Sequence, residues 1–274
     1  MTGLSILKMV KPPGKTEGRI SFENRDVMAL EGEELRNFRW KEVSMIFQGA
    51  MNSLNPVKTV GFQIIDAILD HTNATRKEAF AIAESAMKKV RLPQGMLRRF
   101  PHQLSGGQKQ RAVIAMSIAL NPKLIIADEP TTALDVVSQE RILELLKDIV
   151  QTAGSTVLYI SHDLSVLAKT CDRIAIMYLG RIVETGRTQD ILFSPAHPYT
   201  KALIESNITI DKRGKMVRGI AGYPPVPINL PRNCRFNPRC PYATDQCLNS
   251  EPSPVQLKDD RLVYCYHPRV TDVS

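Results

Sequence analysis

The sequence predicts an α/β fold: a parallel sheet, interrupted by a helical block and followed by a loop-rich extension. Three observations carry this. Two continuous apolar runs, "KLIIAD" (123–128) and "STVLYIS" (155–161), flank the amphipathic stretch "SQERILELLKDIVQ" (138–151), and strands alternating with helices build parallel sheets. The region 59–120 carries apolar residues at helical spacing and breaks that alternation. After about Ser194, Pro and Cys accumulate, as in "GYPPVPINLPRNC" and "NPRCPYATDQC".

In chain order, residues 2–10 read as a short helix. "GRISFENRDV" (18–27) alternates and reads as a strand, and "VSMIFQ" (43–48) is a short β-rich run. Residues 59–92 are helical, with Ile64, Ile65, Ile68 and Leu69 on one face, then Ala79, Ile82, Ala83 and Ala86. A further helix opens at Ser105 and runs to about Leu120. "KLIIAD" is a buried strand ending on a carboxylate, and "STVLYIS" is another strand of buried type. "LSVLAKTC" (164–171) is a helix, and "RIAIMYLGRIVETG" (173–186) is two strands about a turn at Leu179-Gly180. No internal repeat or low-complexity tract is visible.

With 274 residues, 43% of them hydrophobic, the chain suits one large domain plus an appendage. The formal charge of +8 admits nucleic acid, an anionic membrane face or polyphosphate ligands. The basic residues are scattered and aromatics make up only 6%, which disfavours a dedicated nucleic-acid surface. The longest apolar run, Ala112 to Leu120, contains Ser117 and falls short of the ~20 residues of a membrane span. "MTGLSILKMV" has no secretory core or cleavage site, so a cytosolic setting is expected. Five cysteines there argue for a metal or inert thiols rather than disulfides.

The strongest chemical signal is "LSGGQKQR" (104–111). Ser105 can cap a helix, while Gly106 and Gly107 let backbone amides approach an anion at the positive end of the helix dipole. Alone, the string is also an ordinary glycine-containing helix start. "LIIADEP" (124–130) follows, a strand ending in Asp128-Glu129. A carboxylate at a strand tip can hold Mg²⁺ and its neighbour can polarise a water, although such a pair is by itself commonplace. "TTALD" (131–135) comes next, and "YISHD" (159–163) ends the following strand with His162. Upstream, "MIFQGAMNSLNP" (45–56) enters a loop at Gln48.

Together, in this order, these segments resemble the nucleotide-binding subunit of ABC transporters: Q-loop, signature, Walker B, D-loop and switch histidine. "MIFQGAMNSLNPVKTVGFQI", "PHQLSGGQKQRAVIAMSIALNPKLIIADEPTTALDV" and "SPAHPYTKALIES", with the Cys-rich end, are similar to the oligopeptide/dipeptide and nickel importer branch over essentially the whole chain. The resemblance implies a P-loop NTPase-like ABC ATPase domain with an inserted helical subdomain at about 59–120. It implies ATP and Mg²⁺ as cofactors. Gln48 would sense Mg²⁺ and the γ-phosphate, Asp128 would hold Mg²⁺, Glu129 would be the general base, and His162 would contact the γ-phosphate. Ser105, Gly106, Gly107 and Gln108 would bind ATP held by a second ATPase subunit, and Asp135 would lie in the D-loop that crosses between subunits. Two permease subunits would dock at 49–70, on the cytoplasmic face of the membrane, with an extracytoplasmic binding protein acting indirectly and nucleic acid playing no part.

"KPPGKTEG" (11–18) ends like a phosphate loop at Gly14-Lys15-Thr16, but the position five before Gly14 is Met9, the residues before it read as helix and those after it as strand. A basic turn is expected instead. The family's phosphate loop is followed by a helix like "MTGLSILKM", so the resemblance implies a chain N-terminally truncated past its Walker A loop. The expected division is 1–193, an ATPase domain without that loop, and 194–274, the importer-type extension. The expectation is no ATP hydrolysis by the chain alone; the alternatives are a non-catalytic partner lending only its signature, or an importer of nickel or another small solute. An ATPase acting on nucleic acid or ribosomes would show tandem cassettes or a basic aromatic surface, and neither is visible.

Cys234, Cys240, Cys247 and Cys265 are spaced C-x₅-C-x₆-C-x₁₇-C, which is not the CxxC zinc pattern. Four thiolates suit zinc or a [4Fe–4S] cluster. The resemblance to the importer branch favours iron–sulfur. Cys171 reads as a small buried hydrophobe.

Overall fold

A computed structural model describes residues 1–49, 53–132, 134–208, 220, 222–228, 230 and 232–269. The chain forms two compact units, Met1–His162 and Asp163–Ser274.

In the first unit, α1 (Thr2–Ile6) is shorter than the predicted 2–10. Lys8 adopts φ 50, and the chain end there is tied down: Lys8 Nζ donates to the Met28 and Leu30 carbonyls, and Arg39 donates to those of Leu7 and Lys8. The expected strand at 18–27 is instead a tight hairpin, β1 (Ser21–Phe22) and β2 (Arg25–Asp26). Glu23 and Asn24 both take positive φ, 47 and 63, the geometry of a two-residue primed turn. Gly14-Lys15-Thr16 follows a turn at Pro12-Pro13, closed by Gly14 N to Lys11 O at 3.0 Å, and no helix follows it. After α2 (Gly32–Asn37) the chain passes Trp40, whose indole donates to the Met116 carbonyl at 2.9 Å.

The sheet of this unit is parallel, in the order β3 (Val43–Ile46), β4 (Leu124–Asp128), β5 (Thr156–Ile160). β3 is buried throughout and β4 at Ile125–Ala127, as continuous apolar runs require. β5 departs from the expected buried strand: Val157 and Tyr159 pack on the core, but Thr156 and Leu158 on the other face are exposed, and among the described residues β5 pairs only with β4.

The region expected as helical at 59–92 is two helices, α3 (Val60–His71) and α4 (Arg76–Lys89). The break has a local cause. Thr75 caps α4 through Glu78 N, and the Glu78 carboxylate accepts from Thr75 N at 2.7 Å, a reciprocal capping box. α5 (Gly106–Ile118) and α6 (Val136–Ala153) follow, the latter ended by Gly154 at φ 66. Ile64, Ile68, Ala83, Met87, Ile114 and Leu146 meet Ile125 and Ala127 in one core. A second core joins Leu7, Val27, Phe38 and Met45 to Ile126 on the β4 residue between those two.

The second unit opens with α7 (Leu164–Thr170), followed by β6 (Arg173–Tyr178) and β7 (Arg181–Arg187). Their turn falls at Leu179-Gly180, φ 46 and 76, as the sequence predicts. Then come α8 (Thr188–Phe193), α9 (Pro198–Ile208), α10 (Asp245–Asn249), β8 (Val255–Leu257) and β9 (Arg261–Val263). Beyond residue 194 the described residues outside α9, α10, β8 and β9 are mostly turns and irregular chain. β9 pairs with β7, so the antiparallel sheet β6-β7-β9-β8 joins strands from both sides of residue 194. Among the described residues no helix is long and apolar enough to cross a membrane.

His197 sits at the start of α9 with its side chain buried, and its Nδ1 accepts from Tyr199 N at 3.0 Å. Burial pushes its pKa down from 6.5 to about 4. The folded imidazole thus stays neutral while the unfolded one protonates below pH 6.5. The second unit should lose about 3 kcal/mol of stability as pH falls from 6.5 to about 4, at ~1.4 kcal/mol per pH unit. Urea melts across that range test this. His197→Asn retains a cap acceptor without the titration and should flatten the dependence; an equally steep slope in that variant contradicts the assignment.

Candidate functional site

Three sequence-predicted groups emerge at the carboxyl edge of the parallel sheet, where open α/β folds place their ligands. Ile46 of β3 lies beside Ala127 of β4, and Asp128 beside Ile160 of β5. Gln48 is thus two residues beyond one strand, Asp128-Glu129 ends the next, and His162 is two residues beyond the third. Gln48 is exposed, and Asp128 is half-buried.

Glu129 is the best-held member. Its backbone leaves the sheet at φ 47, a conformation uncommon outside glycine and asparagine, and its N–H donates to Ile160 O at 2.9 Å. Both carboxylate oxygens are engaged: Oε2 accepts from Thr132 Oγ1 at 2.6 Å, and Oε1 lies 2.6 Å from His162 Nδ1. The Thr132 hydroxyl, followed by His162, holds the Glu129 pKa below the usual carboxylate range. An ionised carboxylate fixed in direction and backed by an imidazole can accept a proton from a water. Thr132 was missed in the sequence as a functional group; its place three residues after Glu129 in "DEPTT" is the signal.

At α5, Ser105 and Gln108 form a capping box: Gln108 N donates to Ser105 Oγ at 3.4 Å and Ser105 N to Gln108 Oε1 at 2.9 Å. Gly106 and Gly107 occupy the first turn, whose amides have no partner within the helix. A Cβ on Gly107 would come 3.3 Å from Ser138 Oγ, so this turn packs against the start of α6. Asp135 caps α6, accepting from Ser138 N at 2.9 Å, and the Ser138 hydroxyl, followed by this amide, lowers its pKa. That capping role was also missed.

The four tail cysteines form no disulfide and line one cavity of about 10 Å³, room for about one water. Burial pushes the Cys234 and Cys240 thiols up, and that of Cys265 to about 11. The chemistry of four sulfurs fits a soft metal. The geometry does not complete the expected metal site at Cys234, Cys240, Cys247 and Cys265: among the described residues no three His, Cys, Asp or Glu side chains are placed to hold an ion.

The family model for ABC transporters matches residues 2–132, and that for the oligopeptide/dipeptide transporter C-terminal region matches 183–247. The oligopeptide transport ATP-binding protein AppD of Bacillus subtilis (strain 168) is 42% identical over 97% of this chain and 82% of its own length. The dipeptide transport ATP-binding protein DppD of Escherichia coli (strain K12) is 40% identical over 98% and 83%. The chain belongs to the ABC transporter ATPases of the oligopeptide/dipeptide transporter family. Its fold agrees with solved members of the ABC class. A dimeric post-hydrolysis state of the ATP-binding cassette MJ0796, bound to ADP and Pi, matches at a TM-score of 0.58 and 31% identity, over 68% of this chain and 79% of that one. In this ABC ATPase the transporter match at 2–132 takes in Gln48, the signature, Asp128, Glu129 and Thr132, while the C-terminal match takes in Cys234, Cys240 and Cys247.

Proposed function

We propose that the chain is the ATP-binding, energy-coupling subunit of an importer of oligopeptides or dipeptides, acting at the cytoplasmic face of the membrane. The observation that carries the chemistry is the Glu129 carboxylate, fixed between Thr132 and His162 beside Asp128 at the sheet edge. In this reading Glu129 takes the proton of the attacking water and His162 contacts the γ-phosphate. Asp128 holds Mg²⁺ through water, and Gln48 reports on both. Ser105–Gln108 present the first turn of α5 to ATP held by a second ATPase subunit, and Asp135 lies on the connection beside it. Permease subunits dock on 49–70, where Val57 and Phe62 expose apolar surface; residues 50–52 of that stretch lie outside the described ones. The importer-specific extension is placed from residue 194 onward, a start that falls inside the C-terminal family match at 183–247 and not at its beginning.

These 274 residues contain no G-x-x-x-x-G-K-[ST]. The phosphate cradle and its lysine are therefore proposed to come from outside them, and the purified 274-residue chain alone should show only background ATP hydrolysis. Turnover by it that Glu129→Gln abolishes would refute this. The four cysteines are proposed to hold a [4Fe–4S] cluster, or alternatively zinc, as a staple. The support is their convergence on one cavity, which must widen to admit either. Iron, sulfide and zinc analysis of anaerobically purified protein decides between cluster, ion and bare thiols.

A further inference from the structure

The second unit carries a cavity of about 350 Å³ at the β6–β7 turn, within the size range of small-molecule pockets and distant in sequence from every group assigned to ATP chemistry. Ile182, Phe236 and Pro252 give it apolar walls, while Arg181, Arg235 and Glu251 bring charge. Arg181 and Glu251 pair through two contacts, Nε–Oε1 at 3.0 Å and Nη2–Oε2 at 3.2 Å. Their side chains are 53% and 40% exposed, so the pair is screened by water and easily exchanged. Arg235 is anchored by a hydrogen bond from Nη1 to the Leu179 carbonyl, which keeps a second cation on the wall.

Asn233 adds a polar point. Its Nδ2 donates to Leu248 O at 2.9 Å, which fixes which way the amide faces. Its Oδ1 is closed off from solvent with no hydrogen-bond partner among the described residues. A buried acceptor left unpaired favours any ligand whose N–H reaches it after a small side-chain movement.

We propose that this cavity binds a small zwitterion of the amino-acid or dipeptide type with an apolar side chain. The ligand carboxylate takes the Arg181 fork and faces Arg235, its ammonium takes Glu251, and its side chain lies on Ile182 and Phe236. One ion pair is thereby exchanged for two. A carboxylate matches the planar donor fork of arginine, and the exposed Arg181–Glu251 pair costs little to open.

Binding at this cavity does not depend on which solute the transporter carries, and measuring it needs no ATP turnover. Calorimetric titration of the full 274-residue chain uses alanyl-leucine, its N-acetyl form and its C-terminal amide as probes. Alanyl-leucine should bind saturably, one per chain, with Kd of about 1 mM or tighter, as a ligand of this size allows. Each capped form should bind at least about tenfold more weakly, as should alanyl-leucine to Arg181→Gln or Glu251→Gln, because each loses one charge-assisted contact. Melting curves of both variants should match the parent, since the pair they break is exposed. No saturable binding by about 20 mM, twenty times the expected Kd, overturns the proposal. So does equal affinity for the capped probes, or unchanged affinity in both variants.

Discussion

Glu129→Gln should lower ATP turnover of the assembled transporter by about 10²–10⁴-fold while leaving nucleotide binding intact, the usual worth of a positioned general base. The substitution keeps the volume and the Thr132 contact but removes the negative charge and the proton-accepting capacity. The geometry argues that this is loss of a base rather than of structure. The left-handed backbone at Glu129 and its N–H bond to Ile160 O do not depend on the side chain, so the connection out of β4 persists. Thr132→Val gives an independent readout. The Thr132 hydroxyl is the leading cause of the lowered Glu129 pKa, so its loss lets that pKa rise. The acid limb of the pH–rate profile should then move to higher pH, with the plateau less affected. A Glu129→Gln transporter within about threefold of the parent would rule out the general-base role, since that lies far below the expected range.

Much of this site was legible because its parts are local patterns. A continuous apolar strand ending in Asp128-Glu129, and a serine before two glycines at a helix start, announce themselves within a few residues. The Leu179-Gly180 hairpin was legible for the same reason. The misses have physical causes too. Glu23-Asn24 turns the chain inside an alternating run because both residues accept positive φ, which alternation alone does not reveal. The break between α3 and α4 was hidden by continuous apolar spacing, although Thr75 and Glu78 stand at capping-box distance. β5 read as buried because its composition is apolar, whereas burial depends on what lies beside it. Harder still are contacts between residues far apart in sequence: nothing near Glu184 announces Arg261.

That pair yields the largest stability effect expected in the second unit. The Glu184 side chain is fully buried and that of Arg261 is 7% exposed. Glu184 Oε1 accepts from Ala196 N at 2.9 Å and from Arg261 Nε and Nη2 at 3.0 and 2.5 Å, while Oε2 accepts from His197 N at 2.9 Å. Arg261 Nη2 also reaches Ser194 O at 2.5 Å. One carboxylate thus ties β7 to β9 and to the turn before α9. A Cβ at Gly186, on the next β7 residue of the same face, would meet Arg261 Cγ at 3.0 Å, so a small residue there gives the guanidinium its path. Glu184→Leu strands a buried cation and leaves two backbone N–H groups unpaired. It should cost roughly 3–5 kcal/mol, read as a lower urea midpoint for the second unit. The double variant Glu184→Leu/Arg261→Met separates the two costs. It removes the stranded charge but not the orphaned amides of Ala196 and His197, so it should recover part of the loss and not all of it. A single variant costing under about 1 kcal/mol would place the pair among ordinary surface bridges. Full recovery in the double variant would show that the two backbone amides find other partners once the carboxylate is gone.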